Sequence, residues 1–197
     1  RKLSKRYDKE CAMKYYEELG IPSEALSIYF ATLINANFEP WYMQNKDCKV
    51  DDYRFEFSKM KSGGTLFDLE KLINISKNYL SKLKASEVFN GLNEWSKEFD
   101  PEFNDLINQY KEYTISVLNI EREQKKPRKD FESFSSIKKN IWYMYDELFT
   151  GDLSYDFGKI QDKEEIKAIL KSYIEKYYLD TDDKETVIIP TYKSGNT

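Results

Sequence analysis

The chain has 197 residues, enough for one large domain or two small ones, and its 40% hydrophobic and 34% charged residues describe a molecule that folds and dissolves. A formal net charge of −4 is less basic than a nucleic-acid binder usually carries, so such a role would rest on local clusters of Lys and Arg. The absence of His removes the commonest general base, the Ser-His and Cys-His nucleophile pairs and the commonest zinc ligand.

In chain order, a basic hexapeptide, Arg1-Lys2-Leu3-Ser4-Lys5-Arg6, precedes a helical pattern over residues 9–19 that Asp8 can cap. Gly20 falls at C′ and Pro22 just beyond it, a well-signalled stop. Residues 24–38 place Leu26, Tyr29, Phe30, Leu33, Ile34 and Phe38 at helical spacing, with Pro40 closing the helix. Residues 39–64 read as irregular with short helical turns, and Gly63-Gly64 breaks the chain before a helix over 66–77 with Leu66, Leu69, Leu72 and Ile73 on one face. A surface junction is expected at 78–86. The next helix, 86–99, turns Val88, Phe89, Leu92 and Trp95 inward, and Asp100-Pro101 opens another as cap and N1 residue. Residues 111–123 form a further helix. The polar run 121–130 then leads into an amphipathic stretch, 131–149, that Gly151 ends. The last clear helix is 162–179, with Glu164 and Glu165 in its first turn, where they favour the dipole. Val187-Ile188-Ile189 is β-branched but isolated and stops at Pro190, and residues 191–197 are expected to be disordered. The expected fold class is all-α.

Scarce Gly and Pro argue against a sandwich or barrel of many tight turns. No run of about 18 apolar residues exists that would span a membrane, and no signal peptide is visible. Arg1 rather than Met at the start reads as a piece of a longer protein. Cys11 and Cys48 are expected to be free thiols, since neither belongs to a CxxC pattern. The Asp51-Asp52 and Asp182-Asp183 pairs lack further ligands at metal spacing and read as loop solvation. Asp68 and Lys71 read as an i,i+3 pair, and Trp41 and Trp95 as core aromatics. One cluster stands out: Lys125, Lys126, Arg128 and Lys129, with Lys138 and Lys139 nearby, in and after a loop stiffened by Pro127. Such groups neutralise phosphates, and Arg can also stack on or hydrogen-bond a base. The same residues would serve equally as a solvated loop between helices. Phe131, Phe134, Trp142, Tyr143 and Tyr145 lie close by in sequence, most of them at core spacing, with at most one or two expected to face RNA.

Four stretches carry a resemblance to a known family. Lys2-Leu3-Ser4-Lys5-Arg6 has the form that the second signature motif of class I aminoacyl-tRNA synthetases takes in the glutamyl enzymes. The others are Leu33-Ile34-Asn35-Ala36-Asn37-Phe38-Glu39-Pro40-Trp41, then Gly64-Thr65-Leu66-Phe67-Asp68-Leu69-Glu70-Lys71-Leu72. Last comes Lys126-Pro127-Arg128-Lys129-Asp130 with the aromatic run 141–149 behind it. In order and spacing, residues 1 to about 179 resemble the C-terminal half of a bacterial glutamyl-tRNA synthetase. The resemblance implies that Lys2, Ser4 and Lys5 meet the phosphates of ATP, with Mg²⁺, in the complete enzyme. It implies tRNA(Glu) as partner, a stem-contact region at 1–83, an anticodon-binding helical domain at 84–197 that includes the tail, and a missing N-terminal Rossmann domain that holds the adenylate site. This piece alone would neither aminoacylate nor hold ATP. A cytoplasmic, monomeric protein without membrane contact is the matching expectation. The family usually continues with more helices where this chain turns to 187–191, which departs from the pattern. The rival reading is a helical protein-interaction scaffold with no nucleic-acid role, which the acidic balance and the aromatic richness also suit.

Overall fold

A computed structural model describes residues 4, 6–45, 48–60, 63, 65–149 and 162–177. They form nine α-helices and short 3-10 turns, and the only β feature among them is an isolated bridge between Asn35 and Met60. The chain is all-α. It divides into two compact units, residues 1–150 and 151–197.

Helix α1 (Met13–Leu19) is shorter than the sequence pattern suggests. A 3-10 turn at Lys9–Cys11 precedes it, and Ala12 is extended at φ −104, ψ 131, so the two do not fuse. Asp8 does not cap. Its carboxylate instead accepts the backbone N–H of Ser4 at 2.6 Å. Gly20 takes the expected left-handed conformation, φ 68 and ψ 35, and ends the helix.

The helix expected over 24–38 ends early, as α2 (Ser23–Ile34), and a second helix, α3 (Phe38–Gln44), runs into the segment expected to be irregular. Asn35 is the break: it is extended and fully buried, and its Oδ1 accepts from the N–H of Asn37 and the hydroxyl of Tyr53, both at 3.0 Å. Pro40, expected to close a helix, lies in the first turn of α3, where its missing N–H costs nothing. Phe38 is wholly buried. The ring of Tyr53 meets it edge-on at 5.2 Å, and those of Tyr42 and Phe55 stack on it at 5.6 and 6.1 Å.

Helix α4 (Leu69–Lys82) starts and ends later than the expected 66–77. Asp68 caps it, accepting from the Lys71 N–H at 3.0 Å, so the Asp68–Lys71 relation is a cap rather than a side-chain pair. The Lys71 ammonium reaches Glu39 on α3 at 2.7 Å. Leu66, expected in the core, is 80% exposed, because it lies ahead of the helix. Of the junction expected at 78–86, residues 78–82 are the end of α4, with Leu80 fully buried, and the next helix already begins at Ala85. Ser76 is also fully buried, and its hydroxyl has no hydrogen-bond partner among the described residues. Ser76→Ala is therefore expected to raise stability by about 1 kcal/mol, since an unmade buried hydrogen bond is removed at little cost in volume. A rise in the urea midpoint at constant m-value would show it.

Tyr16, Ala25, Leu26, Tyr29 and Leu72 gather in one apolar cluster, and Ile28, Ala31 and Phe38 in a neighbouring one. A third cluster begins beyond α4. It joins α5 (Ala85–Phe99), α6 (Pro101–Gln109), α7 (Lys111–Leu118) and α8 (Phe134–Ile141) through Val88, Leu92, Phe103, Ile107, Leu118 and Ile137. Asp100 caps α6 through the Phe103 N–H at 3.2 Å with Pro101 at N1, as expected. Helix α7 stops at Leu118 and not near 123, and α8 covers only part of the expected 131–149. After it the chain makes a 3-10 turn at Trp142–Met144 and extends at Tyr145, φ −123 and ψ 126. Tyr145 still points inward, and its hydroxyl donates to Thr114 Oγ1 at 2.8 Å. The inward residues Phe131, Phe134, Ile137, Ile141, Tyr145 and Leu148, at three- and four-residue spacing, thus mimic one long helix.

The clusters before and after α4 are stitched by donors that satisfy helix-end carbonyls. Trp95 Nε1 donates to Glu17 O at 3.1 Å and Glu18 O at 3.3 Å, Ser135 Oγ to Leu19 O at 2.7 Å, and the Phe134 N–H to Gly20 O at 2.9 Å. The Phe134 ring lies directly over Gly91 of α5, where a Cβ would collide with it. Gly91→Ala is expected to cost about 1–2 kcal/mol despite the better helix propensity of Ala, because Phe134 must leave its rotamer. Thermal unfolding beside a Gly91→Ala, Phe134→Leu double variant checks it. The double variant should recover most of the loss.

In the second unit, α9 (Lys163–Tyr177) begins on Asp162, whose Oδ1 accepts the Glu164 N–H at 2.9 Å. Ion pairs Lys167–Glu164 and Lys171–Glu175 lie along it. The expectations for Gly64, Gly151, Leu179, Asp182-Asp183, 187–189 and the tail fall outside the described residues. Among the described residues no helix is long and apolar enough to cross a membrane, and no group of acidic or Cys side chains could hold a metal.

Candidate nucleic-acid interface

Two places carry the candidate residues. The first is the start of the chain. Of Lys2, Ser4 and Lys5, only Ser4 is among the described residues. It begins a turn: its carbonyl accepts the N–H of Tyr7 at 3.0 Å and of Asp8 at 2.8 Å, and its hydroxyl accepts that of Arg6 at 3.3 Å. Buried Asp8 holds the Ser4 N–H from below.

The second is the loop between α7 and α8. It turns sharply at Glu121, the one non-Gly residue at positive φ (54°) among those described. The Arg128 N–H then returns to Glu121 O at 3.0 Å and closes a tight excursion. Lys125 and Lys126 stand at its tip, exposed and paired with no described residue. Arg128 forms one leg, with Glu121 at 3.4 Å and Asp130 at 2.5 Å from its guanidinium. The hydrogen bond and charge of Asp130 push its pKa further up. Lys129 donates to Asn78 Oδ1 of α4 at 2.6 Å, and Lys77 of the same helix pairs with Glu132 at 2.8 Å. Lys138 is on α8, half-buried, paired with Asp100 at 2.8 Å and lying over the Phe103 ring. Lys139 is exposed on the same helix. The loop therefore gathers Lys125, Lys126, Arg128 and Lys129, while Lys138 is engaged at the α6 cap.

At the base of the loop sits Arg122, which the sequence did not single out. It is 7% exposed. Its Nε donates to Leu118 O at 2.8 Å, and one terminal nitrogen donates to Leu80 O at 2.6 Å and Leu83 O at 3.1 Å. The guanidinium lies 5.6 Å from the centre of the Phe131 ring. Burial pulls its pKa down and the charge of Asp130 offsets part of that; a guanidinium stays charged regardless. A lone Arg after an apolar helix end looks like any solvated residue in sequence, so no local pattern marks it.

Of the aromatics near the loop, Tyr145 is buried, Phe131 and Phe134 are partly buried, and Tyr143 is 54% exposed. Trp142 stacks on Phe149 at 5.6 Å.

Together these features define an all-helical module that presents a cationic loop on a fixed base, with a short basic turn at its start. No protein-family model matches the chain, and no solved structure matches it. Curated proteins do. It is 40% identical over 188 residues to the glutamate–tRNA ligase of Clostridium perfringens strain 13, and 40% identical over 186 residues to that of Acetivibrio thermocellus. It is 34% identical over 187 residues to the glutamate–tRNA ligase of Clostridium beijerinckii. Each match covers 94% of this chain but only 34%, 33% and 34% of the respective relatives. The chain belongs to the glutamate–tRNA ligase family, and it spans about a third of the length of the curated relatives it matches.

Proposed function

We propose that this chain is the tRNA-recognising, C-terminal portion of a cytoplasmic glutamate–tRNA ligase, an enzyme that joins glutamate to tRNA with ATP. The observation that carries the reading is the cationic loop: two ammonium groups at its tip that pair with no described residue, a guanidinium in its leg and a base buried between helices, within a chain of which 94% matches about a third of the length of these ligases. Lys125 and Lys126 contact phosphates. Arg128 exchanges Glu121 and Asp130 for a splayed base or a phosphate, and Lys129 and Lys138 add charge from the flank. Residues 1–83 contact the tRNA stem and residues 84–197 the anticodon arm. In the complete enzyme Lys2, Ser4 and Lys5 approach the phosphates of Mg²⁺-bound ATP, where their donors follow charge as adenylate forms. Without the catalytic part, this chain neither binds ATP nor aminoacylates, and it acts as a monomer.

The test is a titration of the chain with glutamate tRNA at two salt concentrations, beside the same tRNA with an altered anticodon. Salt-sensitive binding that weakens with the altered anticodon is expected. Lys125→Ala with Lys126→Ala should lower affinity for both tRNAs alike and flatten the slope of log affinity against log salt by roughly 1 to 2, about one for each phosphate no longer neutralised. A helical interaction scaffold would bind neither RNA at low salt.

A further inference from the structure

We infer that Arg122 is the positioning residue of the cationic loop: it sets the register in which Arg128 meets a base, without itself touching RNA. The inference rests on the tRNA reading above.

Three facts single it out. The guanidinium is buried and gives its hydrogen bonds to backbone carbonyls from three places, the end of α7 at Leu118, the last turn of α4 at Leu80, and Leu83 just before α5. Its face lies against Phe131, on the far side of the loop. One planar group therefore spans both ends of the loop and the α4–α5 junction, and no carboxylate is needed to hold it. The side-chain ties from the loop and its C-terminal end to α4, Lys129 to Asn78 and Lys77 to Glu132, are at exposed or half-exposed positions of that helix, where water competes. The fork geometry matters. A Lys at 122 keeps the charge but cannot serve Leu118, Leu80 and Leu83 from fixed directions in one plane.

The physical consequence separates two kinds of RNA contact. Phosphate neutralisation depends on charge and tolerates a loose loop, because long Lys side chains follow the backbone. Base readout depends on direction and does not tolerate it. Loosening the base of the loop should thus erase sequence preference while leaving the salt dependence in place.

The experiment compares the wild-type chain with Arg122→Lys, with the milder Phe131→Leu, and with Trp95→Phe, a control that loses hydrogen bonds to Glu17 and Glu18 far from the loop in sequence. Urea midpoints, affinity for glutamate tRNA, preference over the anticodon-altered tRNA, salt slope and amide exchange over 119–131 are read for each. Arg122→Lys should lose about tenfold in affinity and nearly all anticodon preference, keep its salt slope, and exchange faster at the loop. Phe131→Leu should shift the same readings less. Trp95→Phe should lower the urea midpoint yet retain preference. The inference is overturned if Arg122→Lys and Phe131→Leu keep the preference, or if Trp95→Phe loses it equally. A wild-type chain that binds no tRNA overturns the tRNA reading itself, a result distinct from wild-type binding that Arg122→Lys leaves unchanged.

Discussion

Arg122→Ala is expected to lower the unfolding free energy of the 1–150 unit by about 3 kcal/mol, seen as a fall in urea midpoint with little change in m-value. The substitution removes the donor from three carbonyls at once. Leu80 O retains the N–H of Leu83 at 3.3 Å, so its loss is partial. Leu118 O is the acceptor with most to lose, since its bond to Nε is fully buried. Each buried acceptor left without a partner costs about 1–3 kcal/mol, and the packing against Phe131 goes as well. Arg122→Met should recover the packing and not the hydrogen bonds, falling between Ala and wild type. A change below about 1 kcal/mol for Arg122→Ala would mean that water reaches these carbonyls and that the loop base is not the staple described.

Phe38→Ala should cost about 3–5 kcal/mol, the usual loss on emptying an aromatic site in a core that cannot collapse. Phe38 is fully buried under Tyr42, Tyr53 and Phe55, and its partners come from α3 and from the irregular segment that follows. Among the described residues that segment has little regular backbone pairing beyond its 3-10 turns at Val50–Asp52 and Phe57–Lys59 and the bridge from Met60 to Asn35. Its order therefore rests largely on this ring and on buried Asn35, which takes the Tyr53 hydroxyl, donates to Glu56 O at 3.4 Å and bridges to Met60. The expected signature is local: faster amide exchange and easier proteolysis over 48–60, with α5–α8 protected as before. Phe38→Leu should show the same pattern at roughly half the cost. Uniform loss of protection across the unit would show that the segment is no separate element of stability.

Much of the helical content was legible in the residues. Asp100-Pro101 and Gly20 mark helix ends by local chemistry, a carboxylate for an orphan N–H and a residue that tolerates positive φ, and both act as such. Differences arise where long-range contacts override periodicity. Asn35 breaks a helix because a distant Tyr53 and its own neighbour use its side chain. Pro40 reads as an end although a proline is equally at home in a first turn. Residues 141–149 keep helical spacing but leave the helix, as the buried Tyr145 hydroxyl finds Thr114.

The cationic loop was visible as composition, four basic residues around Pro127. Its shape was not. The all-α class and the location of the charge could be read along the chain, because helix periodicity, capping chemistry and charge runs are local properties; the family was legible only as the resemblance of four short stretches. Which charges are available depends on folding. Lys125 and Lys126 are left clear of the described residues because the chain folds back at Glu121 and lifts them away. Lys138 is engaged because the Asp100 cap of α6 lies beside it. Folding likewise makes Arg122, unremarkable in the sequence, the buried one: the carbonyls it serves belong to residues 80, 83 and 118, and only the packed helices bring them around one guanidinium.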